Sequence, residues 1–153
     1  MGLNCSHGAW DGGYGSFMTW RRKIAEVAGL PPLDLMEGFY TPLKRSTGVD
    51  GLATLYCGVN PPSYTLEQID AALPIKWSAL KKDKLHILLS HSDCEGKISS
   101  RQCAGIADSL EKLIPLLPDE LGSGHIGNWR EKTQTFVDGL RAAAESKEPL
   151  LFR

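Results

Sequence analysis

The chain lacks most of the features by which a sequence announces its chemistry. It holds four cysteines, Cys5, Cys57, Cys94 and Cys103. No two of them form a C-x-x-C pair, so zinc-ribbon and thioredoxin-type motifs are absent. That usage fits a cytosolic, cytoplasmic protein with free thiols. No apolar run approaches the ~20 residues needed to span a bilayer. The N-terminus has neither the basic nor the apolar region of a secretory signal; Gly2 and Ser6 fit only the short myristoylation pattern. The formal net charge is −1, so neither sequence-independent nucleic-acid binding nor attachment to an acidic membrane is expected. There is no repeat and no low-complexity tract.

What is present reads as one ordinary globular domain spanning residues 1–153. Hydrophobic residues make up 42% and charged residues 23%, a balance that supports a packed core rather than disorder. A chain of this length buries roughly 70% of its unfolded surface on folding.

Periodicity predicts a helix from Tyr14 to Ala28, with Phe17, Trp20, Ile24 and Val27 recurring every three or four residues. Gly29 and Pro31-Pro32 stop it. Residues 30–64 are rich in Pro, Gly and Ser and read as a long irregular segment, with one short strand at residues 53–57. Thr65-Leu66-Glu67-Gln68 has the form of a capping box opening a helix through Leu73. Residues 76–90 mix helical and alternating patterns and are assigned to helix. Ser99-Ser100-Arg101-Gln102 is a second capping box. The stripe Cys103, Ile106, Leu110, Leu113, Ile114 and Leu117 follows it, with Pro115 and Pro118 at its end. Asn128 caps the last helix, whose inner face is Trp129, Phe136, Val137 and Leu140; Gly139 weakens it by propensity. The tail Pro149-Leu150-Leu151-Phe152 is apolar and docks on the core. The expected fold is a mainly α single domain of four or five helices, with a long irregular segment and at most a small β element.

Two segments are dense in functional side chains. The first contains His7, Trp10, Asp11, Gly12, Gly13 and Tyr14, with Arg21 and Arg22 one to two turns into the helix that follows. Glycines permit close backbone approach, the helix mouth favours anions, and arginine forks suit phosphate or carboxylate. Trp10 and Tyr14 could stack on a planar group. The set points to a pocket for a small anionic, nucleotide-like ligand. It is no P-loop, because the Gly-Lys-Ser/Thr ending is missing, and no Rossmann fingerprint, because no strand is read before it. The plainer alternative is a glycine-rich turn in which Asp11 caps the helix and Trp10 anchors the core.

The second segment contains His91, Ser92, Asp93, Cys94 and Glu95 before Gly96. Ser92 joins the ligand-contact set, together with His91 and Asp93. His91, Asp93 and Glu95 alternate as in the first half of a calcium loop. His91 stands where that loop carries Asp, and Gln102 where it carries the bidentate Glu. A softer Zn²⁺ or Mn²⁺ site would use His91 and Asp93, completed by His7 or His125. The alternative is a tight turn whose carboxylates favour the helix N-terminus. Cys94 lies between two carboxylates, which raises its thiol pKa and argues against a nucleophile.

The pattern Ser6-His7-x-Ala9-Trp10-x-Gly12-x-Tyr14-x-x-Phe17-x-x-Trp20-Arg21, with the later His91-Ser92-Asp93-Cys94-x-Gly96-x-Ile98, resembles a family of small uncharacterised bacterial and phage proteins. The likeness covers both ends of the chain and fades over residues 30–75. It implies a freestanding single domain and transfers no catalytic role. A phage setting implies a protein that antagonises host defence or signalling by sequestering a nucleotide messenger.

Three functions follow as expectations. One is a non-catalytic binding protein for a small anionic ligand. Another is a metal-assisted phosphoester hydrolase using His7, His91, Asp93 and Glu95, which makes a divalent metal the one cofactor to consider. The third is a protein-interaction module acting through residues 30–64. The sequence leaves a host protein partner and a homo-oligomer open.

Overall fold

The computed structural model describes residues 2–40, 73–80 and 84–153. The expected strand at residues 53–57, the capping box at residues 65–68 and most of the 30–64 segment lie outside them.

The chain opens with a β-hairpin. Strand β1 (Gly2–Cys5) and strand β2 (Trp10–Gly13) pair antiparallel, with Leu3 opposite Gly12 and Cys5 opposite Trp10. Helix α1 (Tyr14–Val27) follows without a break. It buries Phe17, Trp20, Arg21, Ile24 and Ala25 on one face, the 3.6-residue stripe read from the sequence. Gly29 ends it in the left-handed region at φ 71°. Leu30 N–H then returns to the Ala25 carbonyl at 3.0 Å and Gly29 N–H to that of Glu26 at 3.1 Å, so the last carbonyls are satisfied.

The segment assigned to helix over residues 76–90 resolves into a 3-10 turn, Trp77–Leu80, and a short helix α2 (Leu85–Leu89); residues 81–83 lie outside the description. Trp77 is half-buried rather than core, donating its indole N–H to the Glu37 carbonyl at 2.9 Å. Strand β3 (Gly96–Ile98) leads into helix α3 (Ser100–Leu113). Ser99 and Gln102 form the expected capping box, and Cys103, Ile106, Ala107, Leu110 and Leu113 are buried. Asn128 caps helix α4 (Trp129–Ser146), accepting from Arg130 N–H and Glu131 N–H. Strand β4 (Leu150–Phe152) closes the chain.

The four strands form one antiparallel sheet in the order β2-β1-β4-β3. This corrects the mainly α expectation: the fold is α+β, with helices layered on one face of a continuous sheet. The strands are three or four residues long, shorter than the five or six residues over which alternation becomes legible. β2 reads Trp-Asp-Gly-Gly, a turn by composition. Leu3, Cys5, Trp10, Ile98, Leu150 and Phe152 point into the core, while Asn4, Asp11, Lys97 and Leu151 alternate onto the open face.

An aromatic cluster welds sheet to helices. Trp10 meets Phe17 edge-on at 5.0 Å, Trp20 meets Phe136 at 4.8 Å, and Phe17 meets Phe152 at 6.0 Å. Trp20 donates its indole N–H to the Thr133 hydroxyl at 2.9 Å, and Thr133 donates to the Trp129 carbonyl at 2.8 Å. Among the described residues, no helix is long and apolar enough to cross a membrane.

Gly139, unfavourable by helix propensity, is required by packing. A Cβ there would lie 2.4 Å from Ala9 Cβ and 2.6 Å from Ala9 Cα. Gly139→Ala gains about 1 kcal/mol of helix propensity against an overpacking cost at the upper end of about 1–3 kcal/mol, so stability should fall by a net of about 1–2 kcal/mol, read as a reduced denaturation midpoint. Lys147 ends α4 in the left-handed region at φ 58°. Lys147→Gly should raise stability by about 1 kcal/mol, because glycine adopts that conformation without steric cost.

Candidate functional site

The two dense segments occupy opposite edges of the sheet. The first runs through β2 and the second ends in β3, with β1 and β4 between them. Three strand spacings separate these edges by about 14 Å. Among the described residues, neither cleft brings them together: one of about 380 Å³ is lined by Arg22, Glu26, Leu30, Pro32, Leu33 and Asp34, and one of about 290 Å³ by Ala104, Arg141, Ala144 and Glu145.

In the first segment, Ser6–Gly8 makes a 3-10 turn with His7 at φ 56° and Gly8 at φ 69°. The Ser6 hydroxyl accepts from Leu151 N–H at 2.9 Å, and His7 Nε2 lies 3.4 Å from a Glu148 carboxylate oxygen. The turn therefore ties the hairpin to the C-terminal strand and to the end of α4.

Trp10, expected to face a ligand, is 1% exposed and belongs to the core. Its indole N–H has no partner, and a Cβ on Gly12 would sit 3.3 Å from it. Asp11 is exposed in β2 and does not cap α1. The cap is Gly13, with no side-chain hydrogen bond. A strand does precede the glycines, contrary to the sequence reading, but it pairs as a hairpin rather than leading a βαβ unit. The mouth of α1 thus presents uncapped backbone N–H groups beside Gly12, Gly13, Tyr14 and Gly15.

Arg21, expected to grip an anion, is 1% exposed. Its Nη1 donates to the carbonyls of Leu88 at 3.5 Å, Leu89 at 3.2 Å and His91 at 2.6 Å. The guanidinium also lies 4.7 Å from the Phe17 ring centroid. Burial draws its pKa down to about 10, against the opposing charge of Asp93. Its role is to close the C-terminal end of α2.

The second segment wraps around that anchor. The His91 ring stacks on Phe152 at 4.1 Å, and its Nδ1 is hydrogen-bonded to the Ser92 carbonyl at 2.7 Å. Gly96, at φ 119°, leaves the space that ring needs: a Cβ there would lie 3.0 Å from His91 Cε1. The Ser92 hydroxyl accepts from Cys94 N–H at 3.2 Å and Glu95 N–H at 3.4 Å. Cys94 donates to Asp93 at 3.3 Å, and this bond, ahead of the nearby negative charges, raises its thiol pKa. Burial pushes the Cys5 thiol up to about 12 and raises that of Cys103.

Among the described residues, no three His, Cys, Asp or Glu side chains gather as a metal site. Among those residues His91, Asp93 and Glu95 do not converge on one point, with or without His7 or His125. The segment is the turn that carries the chain into β3.

The residue that sequence reasoning missed is Lys132. It lies on α4 three residues after Trp129 and four before Phe136, on the inner stripe where a lysine is out of place; that position was the available signal. Its Nζ sits 4.1 Å over the Trp10 ring and donates to the Asp11 carbonyl at 3.2 Å. Among the described residues, no carboxylate forms an ion pair with it. Burial lowers its pKa, opposed by Asp11. Asp11 and Gly13, two residues apart on β2, present their backbone to the same side, about 7 Å from each other. Lys132 and the α1 mouth therefore share the outer edge of β2.

Comparison of the chain with protein-family models, with curated proteins and with solved structures gives no match.

Arg21→Met keeps the aliphatic bulk and removes every guanidinium donor to the three carbonyls. The Leu88 carbonyl keeps the His91 N–H, while those of Leu89 and His91 lose a donor; acceptors left unpaired cost about 1–3 kcal/mol each, so the variant should lose roughly 2 kcal/mol or more in denaturant unfolding. A change below about 0.5 kcal/mol, the scale of a neutral surface substitution, would show that the anchor is dispensable.

Proposed function

We propose that this protein is a non-catalytic binder of a small anionic, nucleotide-like ligand, held at the outer edge of β2 where α1 begins. The observation that carries the reading is Lys132: a partly buried ammonium on an aromatic face, with a backbone carbonyl as its hydrogen-bond partner and no paired carboxylate. A partly buried cation with no carboxylate in direct ion-pair contact gains from an anion that arrives.

Three further features support the reading. The N-terminus of α1 lacks a side-chain cap, leaving N–H groups and the positive end of the helix for an anion. Gly13 and Gly15 leave the approach clear, since a Cβ at Gly15 would meet nothing within 4 Å. Tyr14 is half-buried at the same mouth and offers an edge or face to a base. Asp11, exposed on β2, suits a sugar hydroxyl or an exocyclic amine. The likeness to phage proteins extends the proposal to capture of a host signalling nucleotide.

Calorimetric titration with inorganic phosphate, a nucleoside monophosphate and a cyclic dinucleotide tests the reading. Binding of at least one nucleotide is expected, with affinity falling about tenfold or more in Lys132→Ala, the scale of one charge-assisted hydrogen bond. Lys97→Ala, an exposed cation on β3 at the other edge of the sheet, should leave the affinity unchanged. Burial lowers the Lys132 pKa, so binding should weaken with rising pH from below the ordinary lysine range. Heat signals absent for every probe, or equal affinities in the wild type and Lys132→Ala, would refute the proposal.

A further inference from the structure

The cleft of about 380 Å³ lies where the end of α1 meets the 3-10 turn Leu33–Leu35. Its volume falls within the ~300–1,000 Å³ range of small-ligand sites. Leu33, 1% exposed, forms the floor, and the half-buried Leu30 and Pro32 form walls. The interior is therefore apolar, and the charged groups stand at the rim.

Those charges differ in how available they are. The Arg22 guanidinium is engaged by Asp34 at 3.1 Å, both side chains being partly covered at 46% and 32% exposure. Glu26 is 69% exposed and meets Lys23 one turn away at 3.1 Å. Such a solvated pair contributes little and yields readily to another cation. Glu26 also stands in the last turn of α1, where the negative end of the helix favours positive charge. An incoming carboxylate would have to displace Asp34 from Arg22. An incoming ammonium displaces only Lys23.

We propose that this cleft binds a small amine, with an aliphatic or arylalkyl body on Leu30, Pro32 and Leu33 and its ammonium on Glu26. The site is separate from the anion edge, since the 14 residues of α1 place the two at opposite ends of a helix about 20 Å long.

NMR titration of the full ¹⁵N-labelled chain with hexylamine, hexanol and hexanoate tests the assignment. Saturable shifts are expected at the amides of Glu26, Leu30, Leu33 and Asp34 with hexylamine. Hexanol and hexanoate should bind about fivefold or more weakly, the scale of one exposed charge contact. Glu26→Gln should weaken hexylamine by a similar factor and leave hexanol binding and the melting temperature unchanged. Hexanoate binding as tightly as hexylamine, hexylamine binding unaffected by Glu26→Gln, or no saturable shift at these amides would each overturn the proposal. None of these outcomes bears on Lys132.

Discussion

One buried guanidinium organises the middle of this molecule. Arg21 sits on the core face of α1, where an apolar residue would be expected, and an isolated charge there is costly. The cost is offset by three carbonyls at the end of α2 and the face of Phe17. In return, the chain after α2 can turn only one way. His91 lands on Phe152, Gly96 fits beneath its ring, and β3 reaches β4 in register. The sheet's third and fourth strands thus depend on a side chain outside the sheet.

Much of the helical layer was legible because helices announce themselves locally. Ser99 and Gln102 satisfy each other's backbone within four residues, and the stripe from Cys103 to Leu113 repeats over about three turns. Asn128 capping α4 and Gly29 closing α1 are equally local. The sheet was not legible, because its strands are too short to show alternation and its pairing is remote. Cys5 meets Phe152 across nearly the whole chain. The site was misread for a related reason. Trp10, Arg21 and His91 are residue types that often touch ligands, and only tertiary contacts reveal that the three hold the core together. Lys132 was overlooked for the converse reason: it lies in no motif and is notable only for its place on an inner stripe. Gly139 is the same lesson in packing, where Ala9 overrides propensity.

Among the described residues, the sheet is covered on one face only. Its inner side carries Leu3, Cys5, Trp10, Leu150 and Phe152, and its outer side carries Asn4, Asp11, Lys97 and Leu151. Both edge strands are short, and β3 carries a lysine at its centre, devices that discourage pairing with another sheet. On the β2 edge Lys132 has a second effect, because it occupies the Asp11 carbonyl that a neighbouring strand would use.

The placement of β4 between β1 and β3 bears on biosynthesis. During synthesis the β1–β2 hairpin emerges well before β4, so the sheet has no centre until β4 has been made. A two-stranded hairpin is marginal by itself in water, and closing so long a loop delays its reward. Nascent chains would therefore expose Leu3, Cys5 and Trp10 until Leu150 and Phe152 arrive. The helices can assemble earlier, through contacts close in sequence between α3 and α4. Completion of the sheet waits on β4, which makes that strand the point at which a chain lacking it and a chain carrying it differ most.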